Sequence, residues 1–142
     1  VRAAQERDVW LDVGHGQRSF SFHVMKRALE QGVLPTTISS DLHAHNLAGP
    51  VFDLATTLSK FLMLGLSLDE VIERSTEAPA RLLGMEGRIG TLQAGAEGDV
   101  AVWELREGEF TFEDSYQNTL TGRLKLEPVL TLKGGEMFLP LR

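Results

Sequence analysis

The sequence predicts an α/β fold for its first part and a β-rich C-terminal part. Two short runs that contain strand-like residues, 9–16 and 36–40, flank a helical pattern. Further helical patterns follow over residues 49–84, and short alternating runs rich in Gly, Thr and Val begin after Arg88. A strand, a helix and a strand within about thirty residues form a βαβ unit, which implies a parallel sheet.

The first strand is predicted within VWLDVGHG, residues 9–16, because Val9 to Val13 is apolar except for Asp12. Such runs are typical of strands that are buried on both faces. Residues 19–32 are predicted as a helix that stops at Gly32, since apolar residues recur four positions apart, at Phe20, Val24 and Ala28. Residues 36–40 then form the second short strand.

Three helical patterns follow the second strand. Residues 49–65 carry an apolar stripe with helical spacing, and Gly65 ends the segment. The stripe consists of Val51, Leu54, Ala55, Leu58, Phe61 and Leu62. Ser67 and Glu70 form a capping-box pattern that opens a helix over residues 67–75. A last short helix is predicted over residues 76–84.

The C-terminal part is predicted to be a sheet. Residues 98–105, 109–114 and 123–138 alternate as strands do, and KGGE within the last segment is a hairpin signal. We therefore place a boundary near residues 86–92 and divide the chain into segments 1–87 and 88–142.

Composition excludes several function classes. The 142 residues carry a net charge of −6 and no basic run, which argues against a nucleic-acid partner. The absence of cysteine excludes disulfides, thiolate zinc sites and Cys nucleophiles. No apolar stretch reaches about 18 residues, so no membrane span is expected. The start has no apolar signal-peptide core and no Met, so we expect a cytoplasmic protein whose sequence begins inside a longer chain.

Two candidate site residues follow the two predicted parallel strands. Asp41 comes directly after TTISS, where its carboxylate could bind a metal ion and accept a proton from water. An N-cap or turn aspartate is an equal alternative at this stage. His15 follows the first strand between Gly14 and Gly16, which allow a ligand to approach closely. A histidine that hydrogen-bonds within a loop is again an equal alternative.

Three other side chains are candidates for the same site at the strand ends. His43 and His45 form an H-x-H pair, but they lie past the strand end, so we favour a structural role for the pair and expect only His43 to line the pocket. Ser19 with His15 as base would make a serine hydrolase, yet no G-x-S-x-G elbow is present. We therefore predict that Ser19 is a helix N-cap beside the pocket.

Four segments resemble, in order, the C-terminal part of the amidohydrolase superfamily, and nearly the whole chain is covered. They are LDVGHGQRSFSF, LPTTISSDLHAHN, LSKFLMLGLSLDEVIERSTEAPARLLG and RIGTLQAGAEGDVAVWEL. The first two are similar to the dihydroorotase-like amidohydrolase and deacetylase branch. Gly98-Asp99 stands where the superfamily usually has Ala-Asp.

The resemblance implies a (β/α)8 barrel with a small β-sandwich built from both chain ends. Segment 1–87 would hold strands seven and eight of the barrel with the helices that follow, and segment 88–142 part of the sandwich. Asp41 then matches the family's last-strand aspartate, which binds metal and moves the proton of the hydrolytic water. His15, Gly16, Ser19 and His43 would line the substrate pocket or support it.

The family's other metal ligands, an H-x-H, a lysine and two single histidines, have no counterpart in this sequence. A complete barrel needs about 250 residues, and a zinc hydrolase site needs three protein ligands. We therefore expect the C-terminal piece of a zinc-dependent hydrolase for small amides or esters, inactive by itself. Its unpaired sheet edges would favour homo-oligomers. A non-catalytic assembly or binding module is the alternative.

Overall fold

The computed structural model of the chain describes residues 1–140. These residues form helices and strands, and the strands belong to two separate sheets. None of the helices in this range combines the length and apolar character needed to cross a bilayer. In chain order the elements are α1 (Arg2–Gln5), β1 (Asp12–Gly14), α2 (Phe22–Glu30), β2 (Thr37–Ser39), α3 (Leu54–Met63), α4 (Leu68–Ser75), α5 (Glu77–Leu82), β3 (Val100–Glu113), β4 (Thr119–Lys133) and β5 (Glu136–Phe138).

The predicted βαβ unit is confirmed, since β1 and β2 pair in parallel and α2 connects them. The strands are shorter than predicted, and β1 starts at Asp12 instead of Val9. The prediction that the first strand is buried on both faces is wrong, because Asp12 of β1 is exposed. Val13 and Ile38, which are partners in the register, pack into the core. The sheet therefore has an apolar face against the helices and a polar face opposite.

Side-chain caps explain where the helices begin. Ser21, not Ser19, is the N-cap of α2, so the predicted capping role of Ser19 is wrong. Helix α3 starts at Leu54 instead of residue 49, because the Asp53 carboxylate accepts a hydrogen bond from the Thr56 N–H at 2.6 Å. The capping box of Ser67 and Glu70 at α4 is confirmed.

Helix α3 occupies the centre of the molecule, between the parallel strands and the C-terminal sheet. Leu58 and Phe61 are fully buried, and the Ser59 hydroxyl accepts a hydrogen bond from the Leu126 N–H of β4 at 2.9 Å. The core cluster comprises Phe20, Phe22, Met25, Ile38, Ala55, Leu58, Phe61, Leu66, Val71, Phe112 and Leu126. Residues from α2, β2, α3 and the C-terminal sheet thus share one apolar core.

The C-terminal sheet has the order β3–β4–β5 and is antiparallel. The two strands predicted over residues 98–105 and 109–114 are one strand, β3, with a register shift between Glu107 and Phe110. The KGGE hairpin is confirmed, because Lys133 pairs with Glu136 across a two-residue turn. Gly98 approaches this turn so closely that an added Cβ would lie 3.1 Å from the Gly135 nitrogen.

Candidate functional site

Two loops follow the parallel strands and meet at one edge of the sheet. The first rim loop, residues 15–20, follows β1, and the second rim loop, residues 40–53, follows β2. The parallel pairing continues past the strands, since the His15 N–H donates to the Ser39 carbonyl at 3.2 Å and the Gly16 N–H to the Ser40 carbonyl at 3.4 Å. The carboxyl ends of both strands therefore present these loops together, as the sequence predicts.

Asp41 lies at this edge with an exposed side chain. Its backbone is left-handed, with φ of 47°, a conformation that Asp adopts more readily than most residues. Within residues 1–140 no hydrogen bond engages its carboxylate, so it does not act as a helix N-cap. The backbone carbonyl of Asp41 instead accepts a hydrogen bond from the Asn46 side-chain amide at 2.9 Å.

Gly16 brings Asp41 and Ser19 together. Its φ is +52°, and a Cβ built on it would lie 2.4 Å from the Ser19 Oγ and 2.7 Å from the Asp41 Oδ2. Gly14 also packs under Asp41, with an added Cβ 3.5 Å from the Asp41 Cβ. The two polar side chains thus converge on space that only glycine leaves open.

Asn46 organises the second rim loop. It is fully buried, and its side-chain oxygen accepts a hydrogen bond from the His43 N–H at 2.8 Å. His43 and His45 are both exposed, with ring centroids 5.8 Å apart at 68°. The Nδ1 atom of His43 accepts a hydrogen bond from the His45 N–H at 3.2 Å. The pair lies in this loop and not on a strand.

Ser19 is exposed and directs its hydroxyl to backbone carbonyls, with the His15 carbonyl at 3.0 Å. No hydrogen bond links this hydroxyl to the imidazole of His15. The serine-hydrolase hypothesis is therefore wrong, because a serine nucleophile needs a base within hydrogen-bonding reach.

His15 is fully buried below the rim. Its Nδ1 lies 3.0 Å from the Gly16 carbonyl and its Nε2 lies 2.7 Å from the Lys60 Nζ. Burial, together with a smaller effect of the nearby Lys60 cation, lowers the pKa of His15 to about 4. A neutral imidazole that donates from Nδ1 and accepts at Nε2 satisfies both contacts. In this geometry His15 supports the first rim loop, and its imidazole is not presented at the surface.

Two polar residues of this region, Asp12 and Lys60, were not predicted as site residues. The Asp12 carboxylate accepts hydrogen bonds from the Thr37 and Ser39 hydroxyls, each at 2.7 Å. A cleft of about 690 Å³ beside β1 is lined by Asp12, Ser19, Ser39 and Asp41. The signal was present, because Asp12 interrupts an apolar run and two-residue alternation places it on the face of Gly14.

Lys60 is the other missed residue. It is 1% exposed, although it lies within the amphipathic pattern of α3. Burial lowers the pKa of Lys60 to about 8. Nothing in the local pattern distinguishes this lysine from one that faces solvent.

The described residues do not form a complete metal site. Within residues 1–140 no three His, Asp or Glu side chains are grouped closely enough to hold a metal. Zinc hydrolase sites use three protein ligands and a water molecule. Asp41 fits one of these positions, since it is exposed at the strand edge and its carboxylate is not committed elsewhere.

Residues 22–137 match the model of the amidohydrolase family. A protein named deacetylase from Enterococcus faecalis is 36% identical over 136 residues, which are 95% of this chain and 37% of that protein. A deacetylase from Agrobacterium fabrum is 42% identical over 130 residues, which are 89% of this chain and 31% of that protein. The chain therefore spans about a third of the length of these relatives.

Two crystal structures have the same fold over nearly the whole chain. An adenine deaminase matches with a TM-score of 0.91 and 35% identity, covering 98% of this chain and 38% of that one. A dihydroorotase matches with a TM-score of 0.85 and 35% identity, covering 96% of this chain and 36% of that one.

Proposed function

Because the chain belongs to the amidohydrolase family, we propose that it forms the C-terminal part of a metal-dependent hydrolase. Its substrates are small molecules with amide or ester bonds: acylated amines, acyl esters or cyclic amides. The deacetylase names of the relatives support this class. The observation that carries the proposal is the uncommitted Asp41 carboxylate at the carboxyl edge of two parallel strands, directly above Gly14 and Gly16.

We assign β1 and β2 to strands seven and eight of a (β/α)8 barrel. Parallel pairing through a single helical connection fits two consecutive strands of such a barrel, and Asp41, which resembles the family's last-strand aspartate, follows the second of them. Residues 1–87 then belong to the barrel and residues 88–142 to the sandwich. The cytoplasmic location expected from the sequence stays a prediction.

Asp41 provides one ligand of the proposed metal site, and the remaining ligands come from parts of the protein outside this sequence. When bound, the ion supplies Lewis acidity and lowers the pKa of water. Zinc is the metal that we propose. This chain alone would then be inactive, because one carboxylate cannot hold the ion.

The chain's own residues perform the proton transfers of the proposed reaction. Asp41 accepts the proton of the attacking water and then passes it to the leaving nitrogen or oxygen. Gly16 leaves room for the substrate beside this carboxylate, and Ser19 borders the same space. The exposed His43 would contact the substrate from the second rim loop. His15 supports the loop from below through its contacts with Gly16 and Lys60.

The test is Asp41→Asn in the full-length polypeptide, supplied with zinc or manganese and assayed on N-acyl amino acids and acyl esters. We expect kcat to fall by about 10²–10⁴-fold, since the variant cannot accept the proton. Asp8→Asn is a matched control, because Asp8 is also exposed and also has a left-handed backbone, with φ of 56°. Unimpaired turnover by Asp41→Asn would remove Asp41 from the mechanism.

The alternative of a non-catalytic module has no specific support in the family match.

We also propose that the chain takes part in assembly, because β3 is an edge strand of the described sheet and would pair with another strand. Sedimentation of the full-length protein tests whether it forms homo-oligomers.

A further inference from the structure

One buried cation joins the two rim loops to the C-terminal sheet. The Lys60 Nζ lies 2.7 Å from the His15 Nε2, 2.6 Å from the Pro50 carbonyl and 2.7 Å from the Glu113 carbonyl. An ammonium group has three N–H donors, and here each has an acceptor. Within residues 1–140 no other side chain hydrogen-bonds to both rim loops and to the C-terminal sheet.

The three acceptors belong to different parts of the chain. His15 begins the first rim loop, Pro50 lies in the second rim loop, and Glu113 is the last residue of β3. Both candidate site loops are therefore bound to the same atom of α3. The first rim loop holds Gly16 and Ser19, and the second holds Asp41.

The β3–β4 turn holds the first rim loop from the other side. The Ser115 hydroxyl lies 3.2 Å from the His15 carbonyl, and the Ser115 N–H donates to the Phe20 carbonyl at 3.0 Å. The Tyr116 hydroxyl donates to the Arg18 carbonyl at 3.0 Å. The C-terminal sheet thus contacts the first rim loop both through this turn and through Lys60. Its hydrogen-bonded connection to the second rim loop runs through Lys60.

A buried cation is a costly way to fill space, because the charge must leave water. An apolar side chain of similar length would fill the same volume without that cost. The hydrogen bonds that Lys60 donates at fixed angles are what such a replacement lacks. Two of their three acceptors belong to loops of the candidate site and the third to β3, which indicates a role in placing those loops against the sheet.

We propose that Lys60 is a positioning residue that fixes the two rim loops relative to each other, and so places Asp41 against Gly16 and Ser19. That the positioned site hydrolyses amides or esters depends on the proposed function. The link between the loops does not depend on it.

The test compares three variants of the full-length polypeptide by hydrogen exchange of peptides from each rim loop. Lys60→Met keeps the aliphatic stem and removes all three donors. His15→Phe keeps a ring beside Phe20, which lies 4.7 Å away, and removes the Lys60 contact with the first rim loop together with the Nδ1 contact with the Gly16 carbonyl inside that loop. Ser59→Ala is the matched control, because it removes a buried bond between α3 and β4 that contacts neither loop.

We expect Lys60→Met to raise exchange about tenfold or more in both rim loops, from the loss of charge-assisted hydrogen bonds. His15→Phe should raise it in the first rim loop alone, and Ser59→Ala in neither. On any substrate that the wild type turns over, Lys60→Met should lower kcat by about tenfold or more with little change in KM, since Asp41 is displaced.

Equal exchange in Lys60→Met and Ser59→Ala would overturn the positioning role. If Lys60→Met does not fold, His15→Phe decides, and unchanged exchange in the first rim loop would contradict the proposal. A wild type without hydrolase activity would refute the proposed function, while the exchange comparison would still decide the role of Lys60.

Discussion

Gly16 offers the most direct test of the rim geometry. Its replacement by alanine would place a methyl group 2.4 Å from the Ser19 Oγ and 2.7 Å from the Asp41 Oδ2. Both distances are shorter than the non-bonded contacts that a Cβ makes, so both side chains, or the backbone of Gly16, must move. The substitution therefore perturbs the candidate site without removing any functional group.

The expected cost of Gly16→Ala has two parts. The left-handed backbone, with φ of +52°, costs an alanine about 1–2 kcal/mol. Crowding adds about 1 kcal/mol, because the two atoms in the way are the ends of exposed side chains that can turn aside. Part of this arises because moving the Ser19 hydroxyl breaks its 3.0 Å hydrogen bond to the His15 carbonyl. The free energy of unfolding should fall by about 2–3 kcal/mol in total.

Gly32→Ala separates the two parts. Gly32 also has a left-handed backbone, with φ of +72°, but an added Cβ would meet nothing within 4 Å. It should therefore show the backbone cost of about 1–2 kcal/mol alone. Urea unfolding of both variants in the full-length polypeptide measures the difference, and turnover should fall only in Gly16→Ala.

A double-mutant cycle identifies which contact is responsible. Combining Gly16→Ala with Ser19→Ala removes the oxygen at 2.4 Å, so the pair should cost less than the sum of the single changes. Equal losses of stability and equal turnover in Gly16→Ala and Gly32→Ala would refute the crowded geometry that we derive for Asp41 and Ser19.

Two further predictions concern stability. The pKa of His15 is about 4 in the folded protein and 6.5 in the unfolded chain, so the unfolded state binds more protons between these values and stability falls as the pH falls through this window. Lowering the pH to about 5 should cost about 2 kcal/mol that His15→Phe does not lose; parallel pH profiles of the two proteins would contradict the buried neutral imidazole. Ser67→Ala, which removes the capping box of α4, should lower the unfolding free energy by about 1 kcal/mol in urea titration, and an unchanged unfolding free energy would contradict the role of the cap.

Local chemistry made much of the fold predictable. The alternation of strand, helix and strand and the capping box of Ser67 and Glu70 involve residues close in sequence, and each is present in the structure. Errors occurred where two local solutions compete. Ser19 and Ser21 both precede the apolar face of α2, and only the fold shows that Ser21 caps it while Ser19 turns back to the His15 carbonyl.

The position of Asp41 depends on local sequence and was predictable, whereas the role of Lys60 depends on distant contacts and was not. A residue that directly follows a parallel strand lies at the carboxyl edge whatever the rest of the chain does. Lys60 becomes buried only because three acceptors, 45, 10 and 53 residues away, meet at its ammonium group. Helical spacing cannot reveal such a meeting, since an interior lysine and a surface lysine fit the same pattern. The groups that would carry the chemistry can thus be found from the sequence, whereas the contacts that hold them in register require the tertiary structure.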